Sequence, residues 1–250
     1  DQGKLGNMHA LGIIAETAGV KMGELGTTTF RPPYTPLTFG TIVGRNVGEY
    51  FDTFRRTPMN DWHIKHKAEF ENVGQWKRAW YYPKNNESMH DAVQRESKAA
   101  RDSAGILDAS TLGKIDIQGT DASEFLNRVY TNAWTKLAIG KCRYGLMLNE
   151  DGMVYDDGVT TRLDENHYIM TTTTGGAANV LGKLEDYLQT EWPELDVYLS
   201  SVTDHYATAS VCGPNSKKIL NKIIPDLDLS DENFPHMSFK NAKIDNIKCR

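Results

Sequence analysis

One hairpin signal limits what this chain can fold into more than any other feature. Residues 142–149 and 153–162 both read as strands, and Glu150-Asp151-Gly152 between them has the chemistry of a tight antiparallel turn. Further strand patterns fall at 106–110, 114–118, 167–172, 195–199 and 206–211. Helical patterns interrupt them. Residues 90–103 are rich in Ala and charge and stop at Gly105, and Thr120-Asp-Ala-Ser-Glu124 opens a helix striped by Phe125, Leu126, Val129 and Tyr130. Ala177, Leu181, Leu184 and Leu188 mark another helix ending before Pro193, and Ile219, Leu220, Ile223 and Ile224 line a last one. Hairpins mixed with helices, without regular strand–helix alternation, predict an α+β fold. The expected sheet is antiparallel or mixed and built from split βαβ, ferredoxin-like elements.

Residues 1–87 have a different character. A helix is expected over 8–18, with Asn7 as N-cap and Gly19 past its end. Residues 26–36 contain Pro32, Pro33 and Pro36 and should run extended. Phe54, Trp62, Phe70, Trp76, Trp80, Tyr81 and Tyr82 crowd a stretch of weak periodicity, which predicts an extended aromatic arm lying across another surface. The expected division is therefore an arm over 1–87 and a domain over 88–250.

Composition and missing motifs exclude several classes of function. A net charge of −5 over 250 residues, with basic residues scattered, gives no footprint for nucleic acid. No stretch approaches the roughly 20 apolar residues of a membrane span, and the opening Asp1-Gln2-Gly3-Lys4 is unlike a secretory signal. Cys142, Cys212 and Cys249 are widely spaced in apolar surroundings, which predicts buried free thiols and a cytoplasmic location. His63 and His66, flanked by Asp61 and Glu69, are too weak a set to predict a metal. There is no G-x-G-x-x-G, Walker loop, G-x-S-x-G or H-E-x-x-H, so any flavin or nicotinamide chemistry must lie elsewhere.

Two clusters offer chemistry. Along the strand that contains Asp156 and Asp157, neighbouring side chains point to opposite faces, so the two carboxylates should serve different sites. Asp157 should share its face with Met153, Tyr155 and Val159, and Asp156 with Val154, Gly158 and Thr160. Gly158 would leave open space beside Asp156, as a ligand needs; the competing account is a solvated acidic pair at a strand end. Thr171-Thr-Thr-Thr174-Gly175-Gly176-Ala177, where a strand meets a helix, could hold an anion or simply cap that helix.

The sequence resembles two families. The run from Glu96 to Gly119, together with Met147-Leu-Asn149, Asp156-Asp157 and Val211-Cys-Gly-Pro-Asn215, resembles the glycine-cleavage T-protein (aminomethyltransferase) family over about 88–250. Asp1-Gln-Gly-Lys4, Asn7, Ala10-Leu-Gly-Ile13 and Gly26-Thr-Thr-Thr-Phe-Arg-Pro-Pro-Tyr-Thr-Pro36 resemble the linking region of heterotetrameric sarcosine oxidase alpha subunits. The resemblance implies a chain cut at both ends. It would follow a nucleotide-binding domain and stop before a Tyr-Thr-Gly-Glu-like ligand group. It also implies capture of the one-carbon unit of oxidised sarcosine on tetrahydrofolate, giving 5,10-methylenetetrahydrofolate. FAD, FMN and NAD would be bound elsewhere in a complex with a flavin-bearing beta subunit and small gamma and delta subunits. Carried over by position, Asp156 is the expected catalytic carboxylate, and Leu112, Tyr144, Met170 and Thr173 are the expected lining of the pterin pocket. Alternatives are a free aminomethyltransferase, a relative oxidising dimethylglycine or N-methylglutamate, and a scaffold domain that binds no folate.

Overall fold

The hairpin forms where the sequence places it. In the computed structural model, which describes residues 7–21 and 53–250, β6 (Cys142–Leu148) pairs antiparallel with β7 (Val154–Asp164). With β8 (His167–Thr172), β5 (Gly113–Gln118) and β9 (Tyr198–Ser201) they make a five-stranded sheet in the order β6-β7-β8-β5-β9, every neighbouring pair antiparallel. Strand β5 leads through α4 (Ala122–Val129) toward β7, with β8 between the two strands; β8 leads through α5 (Ala177–Asp186) to β9, with β5 between. These are two interlocked split βαβ units with β6 added at one edge, as expected.

Both helices cover one face of the sheet. Phe125 and Leu126 of α4 and Val180 and Leu184 of α5 are fully buried against Ile115, Ile117, Met147, Tyr168 and Met170. Each large side chain so buried contributes about 1.5–3 kcal/mol of transfer free energy. Trp134 and Tyr130 complete the layer, meeting edge to face at 5.8 Å. Gly145 makes room for them, because a Cβ there would lie 2.7 Å from the Trp134 ring and 3.0 Å from Tyr130.

The chain divides into two compact units, residues 1–52 and 53–250. In the first, α1 (Asn7–Ala18) forms where helical spacing predicts it; residues 26–36 lie outside the described residues. In the second, residues 55–81 depart from the extended arm expected of them. They fold as β1 (Arg55–Arg56), α2 (Asn60–Lys65), β2 (Glu69–Val73) and β3 (Trp76–Tyr81), and the strands form a sheet in the order β1-β3-β2. The physical reason is a short hairpin: Gly74 takes φ +57 between β2 and β3, and a bulge at Trp80, where Glu69 pairs with Tyr81 but Phe70 with Ala79, leaves Trp80 half exposed while Trp76 is buried. The bulge breaks the period-two pattern, so the strand has no clear alternation in the sequence.

Helix α3 (Met89–Asp102) leads into β4 (Gly105–Asp108), which pairs with β10 (Ala209–Cys212); α6 (Ser216–Ile223) and the hairpin of β11 (Ala242–Ile244) and β12 (Ile247–Cys249) follow. Cys212, on this two-stranded sheet, is exposed, and Cys142 and Cys249 are half-buried, so the expectation of buried thiols fails. A two-stranded ribbon has too little covering to enclose the side chain. No helix among the described residues is long and apolar enough to cross a membrane.

Candidate functional site

The register of β6 against β7 decides which side chains meet. Met147 lies opposite Asp156 and Leu146 opposite Asp157, but Leu148 lies opposite Val154, so β7 carries an extra residue at Tyr155. Such a bulge re-aims side chains. Here it puts Val154 opposite Leu148, on the face that also carries Asp157, which breaks the simple alternation expected of Val154 and Asp156.

Asp156 faces the core. It is 4% exposed, opposite the buried Met147, and both carboxylate oxygens accept from the Thr173 amide at 3.3 and 3.4 Å. The space expected beside Gly158 is not open: Gly158 lies opposite Gly145, over which Trp134 and Tyr130 pack, and a Cβ on Gly158 would strike the Thr171 carbonyl. Burial, reinforced by Asp156 and Asp157, pushes the Tyr130 phenol well up, so this core neighbour stays neutral.

Asp157 faces the other way, away from the layer of α4 and α5. The Tyr144 hydroxyl donates to its carboxylate at 2.6 Å. That hydrogen bond, with partial burial and the charges of Asp157 and Asp156 adding, raises the Tyr144 phenol, so it keeps its proton as a donor. Tyr144 is 47% exposed. Leu146, Val159 and Ile169 share this face and are half-buried. Leu112 and Thr173 stand at its rim, one residue beyond the last ladder pair of β5 and β8, Gly113↔Thr172.

The expected residues therefore divide. Tyr144 lies on the Asp157 side with Leu112 and Thr173 at its rim, whereas Met170 is fully buried in the core on the Asp156 side. The threonine run does not form an anion site. Thr171 Oγ1 bonds the Val159 backbone, Thr172 Oγ1 the Thr173 carbonyl, Thr173 Oγ1 accepts from Gly176 N, and Thr174 Oγ1 meets Thr111 Oγ1. The Asp156 carboxylate is the negative charge already held at this turn, and α5 starts after Gly176 without a side-chain cap, the Gly176 amide bonded instead to Thr173 Oγ1. His63 and His66 do not converge: His63 bonds Tyr82 and Asp108, and His66 Nδ1 lies 2.7 Å from the Trp62 carbonyl.

The split βαβ sheet packed on one face by helices is shared with an aminomethyltransferase fold. Residues 59–250 match the family described as GCVT N-terminal domain, and the chain belongs to that family. Residues 1–45 match the family described as sarcosine oxidase A3 domain. Sarcosine oxidase subunit alpha of Corynebacterium sp. (strain U-96) is 55% identical over 246 residues, covering 98% of this chain and 26% of that one. Its counterpart in Rhizobium meliloti (strain 1021) is 50% identical over 245 residues, 98% of this chain and 25% of the relative. The chain thus spans about a quarter of the length of these curated relatives. The crystal structure of glycine cleavage system aminomethyltransferase T from Bartonella henselae shares the fold, with a TM-score of 0.60 and 24% identity over 68% of this chain and 44% of that one.

Proposed function

We propose that this chain is the folate-binding part of a sarcosine oxidase alpha subunit, where the one-carbon unit of oxidised sarcosine is captured to give 5,10-methylenetetrahydrofolate. The observation that carries this reading is the Tyr144–Asp157 pair beside an apolar strip on the sheet face opposite α4 and α5. Tetrahydrofolate supplies the nucleophilic nitrogen for the capture. Leu146, Val159 and Ile169 offer a flat apolar bed for a ring system, and Leu112 and Thr173 bound it. The Tyr144 hydroxyl donates a hydrogen bond to one oxygen of Asp157, which leaves the other to orient an N–H donor and take up a proton. Asp156 then acts as a positioning residue: through the Thr173 amide it holds the end of β8 at the rim. The geometry favours Asp157 as the acting carboxylate over Asp156, which sequence position suggests. The flavin and nicotinamide chemistry of such an enzyme falls outside these 250 residues, with the beta, gamma and delta subunits as partners.

The test is the partition of products in the full-length enzyme with tetrahydrofolate in excess. Asp157→Asn is expected to slow capture by about 10²-fold or more while amine oxidation continues, so formaldehyde accumulates in place of methylenetetrahydrofolate. Asp156→Asn is expected to lower stability with a smaller change in that ratio. A larger change in the Asp156 variant at unaltered stability would return the role to Asp156. Failure of the unsubstituted enzyme to bind tetrahydrofolate in an equilibrium titration would leave a scaffold.

A further inference from the structure

A second cluster of buried ionisable groups lies outside this pair. His63 on α2 is 4% exposed and Asp108 at the end of β4 is 8% exposed. His63 Nε2 lies 2.8 Å from Asp108 Oδ2, and His63 Nδ1 lies 2.6 Å from the Tyr82 hydroxyl. The other Asp108 oxygen, Oδ1, accepts from the Ser110 amide at 3.0 Å. Burial pushes the Asp108 carboxyl up, but hydrogen bonds from Ser110, Thr57 and His63 outweigh it and hold the carboxyl below its ordinary range.

The turn that follows Asp108 is held from several sides. Lys114, itself buried, donates to the carbonyls of Ser110 at 3.2 Å and Leu112 at 2.8 Å. Ser110 Oγ accepts from Thr208 N at 2.9 Å, and Thr111 Oγ1 meets Thr174 Oγ1 at 3.0 Å. Thr174 adjoins Thr173, whose amide Asp156 holds. A continuous set of bonds and chain neighbours thus runs from His63 through Asp108 and the turn to the rim of the candidate face. A carboxylate bonded on both oxygens and buried is costly to desolvate. A turn at the edge of a binding face is a place where that cost is offset by fixed geometry.

We propose that the His63–Asp108 pair is a positioning device that fixes the Ser110–Leu112 turn and so pre-forms the rim of the folate face. This rests on the folate reading above, but it makes its own claim about the turn. The experiment uses the full-length chain, with tetrahydrofolate as ligand, and measures ligand Kd, melting temperature and amide hydrogen exchange together. Asp108→Ala and His63→Gln are expected to accelerate exchange at Ser110 and Leu112 more than in β7 and β8. They should also raise Kd by about tenfold or more, the scale on which small misplacements act. Asp108→Asn keeps a carbonyl oxygen for the Ser110 amide, and its Kd is expected within about threefold of the unsubstituted chain, a rescue that a purely electrostatic role would not give. Three results overturn the proposal: unchanged exchange at Ser110, exchange accelerated uniformly over the sheet, or an unchanged Kd despite a loosened turn. If the unsubstituted chain does not bind tetrahydrofolate, the folate reading falls, and exchange at Ser110 still decides whether the pair fixes the turn.

Discussion

Single atoms set the tolerances of this fold most sharply at Gly145. A methyl group there would sit 2.7 Å from Trp134 Cζ2 and 3.0 Å from Tyr130 Cδ1, inside a layer where both rings are buried. Gly145→Ala is expected to cost about 1–3 kcal/mol through overpacking. A urea midpoint that falls at constant slope would show it; an unchanged midpoint would mean the rings yield freely. Charge matters most at Asp108. Its folded carboxyl titrates below its ordinary value, so its stabilisation is complete above about pH 4 and is lost as pH falls through the folded value. Asp196 and Asp228 are lowered too but are exposed, where solvent screens them, and Glu87, lowered by Arg95, is the same in the Asp108→Asn chain and the unsubstituted one. Unfolding free energy measured from pH 6 down to 2 should therefore fall more gently in Asp108→Asn than in the unsubstituted chain. Parallel curves would count against this.

At the scale of elements, caps and registers account for what sequence shows and what it conceals. Ser88 caps α3: its hydroxyl accepts from Asp91 N at 3.2 Å and donates to the Asp91 carboxylate at 2.6 Å. Ser88→Ala is expected to cost about 1 kcal/mol, read as a lowered melting temperature. A loss within error would show that packing of α3 carries the helix unaided. The major elements of the five-stranded sheet were legible because each combines a clear period with turn chemistry; Glu150-Asp-Gly152 and the Phe125-Leu126 stripe are examples. Register was not. The bulge at Tyr155 has no compositional mark, and it depends on how Asn149 to Met153 closes across the turn, where the Asn149 amide bonds the Met153 carbonyl at 2.8 Å. Alternation correctly separated Asp156 from Asp157, but it could not say which side the helices cover. That depends on α4 and α5 crossing the sheet, a long-range fact. The His63–Asp108 pair, 45 residues apart, was invisible for the same reason.

For the molecule as a whole, the open question is where the domain begins. Sequence character changes near residue 88, yet the compact unit starts at Thr53 and the family match at residue 59. The segment before residue 88 is bound into the rest by specific contacts. The Tyr82 amide donates to Glu96 Oε1 at 2.8 Å, Arg95 donates to the Tyr82 carbonyl at 2.8 Å, and Arg55 grips Asp204 with bonds of 2.8 and 3.0 Å. Trp76 is 4% exposed beneath the Arg55 guanidinium, whose carbon lies 4.0 Å from the ring centre. A Cβ on Gly74, at the tip of the β2–β3 hairpin, would come within 3.8 Å of Gly175 beside the candidate rim. Removing residues 53–82 would strip Asp108 of His63 and Thr57 while leaving Lys114 buried beside it. Leaving a buried carboxylate without two of its hydrogen-bond donors typically costs about 1–3 kcal/mol or more, and the exposed bed of Trp76 adds to that. A chain spanning 83–250 is therefore expected to be at least about 2 kcal/mol less stable than one spanning 53–250 in matched denaturant unfolding. Equal stability of the two would place the boundary near residue 88 and reduce the preceding sheet to an appendage.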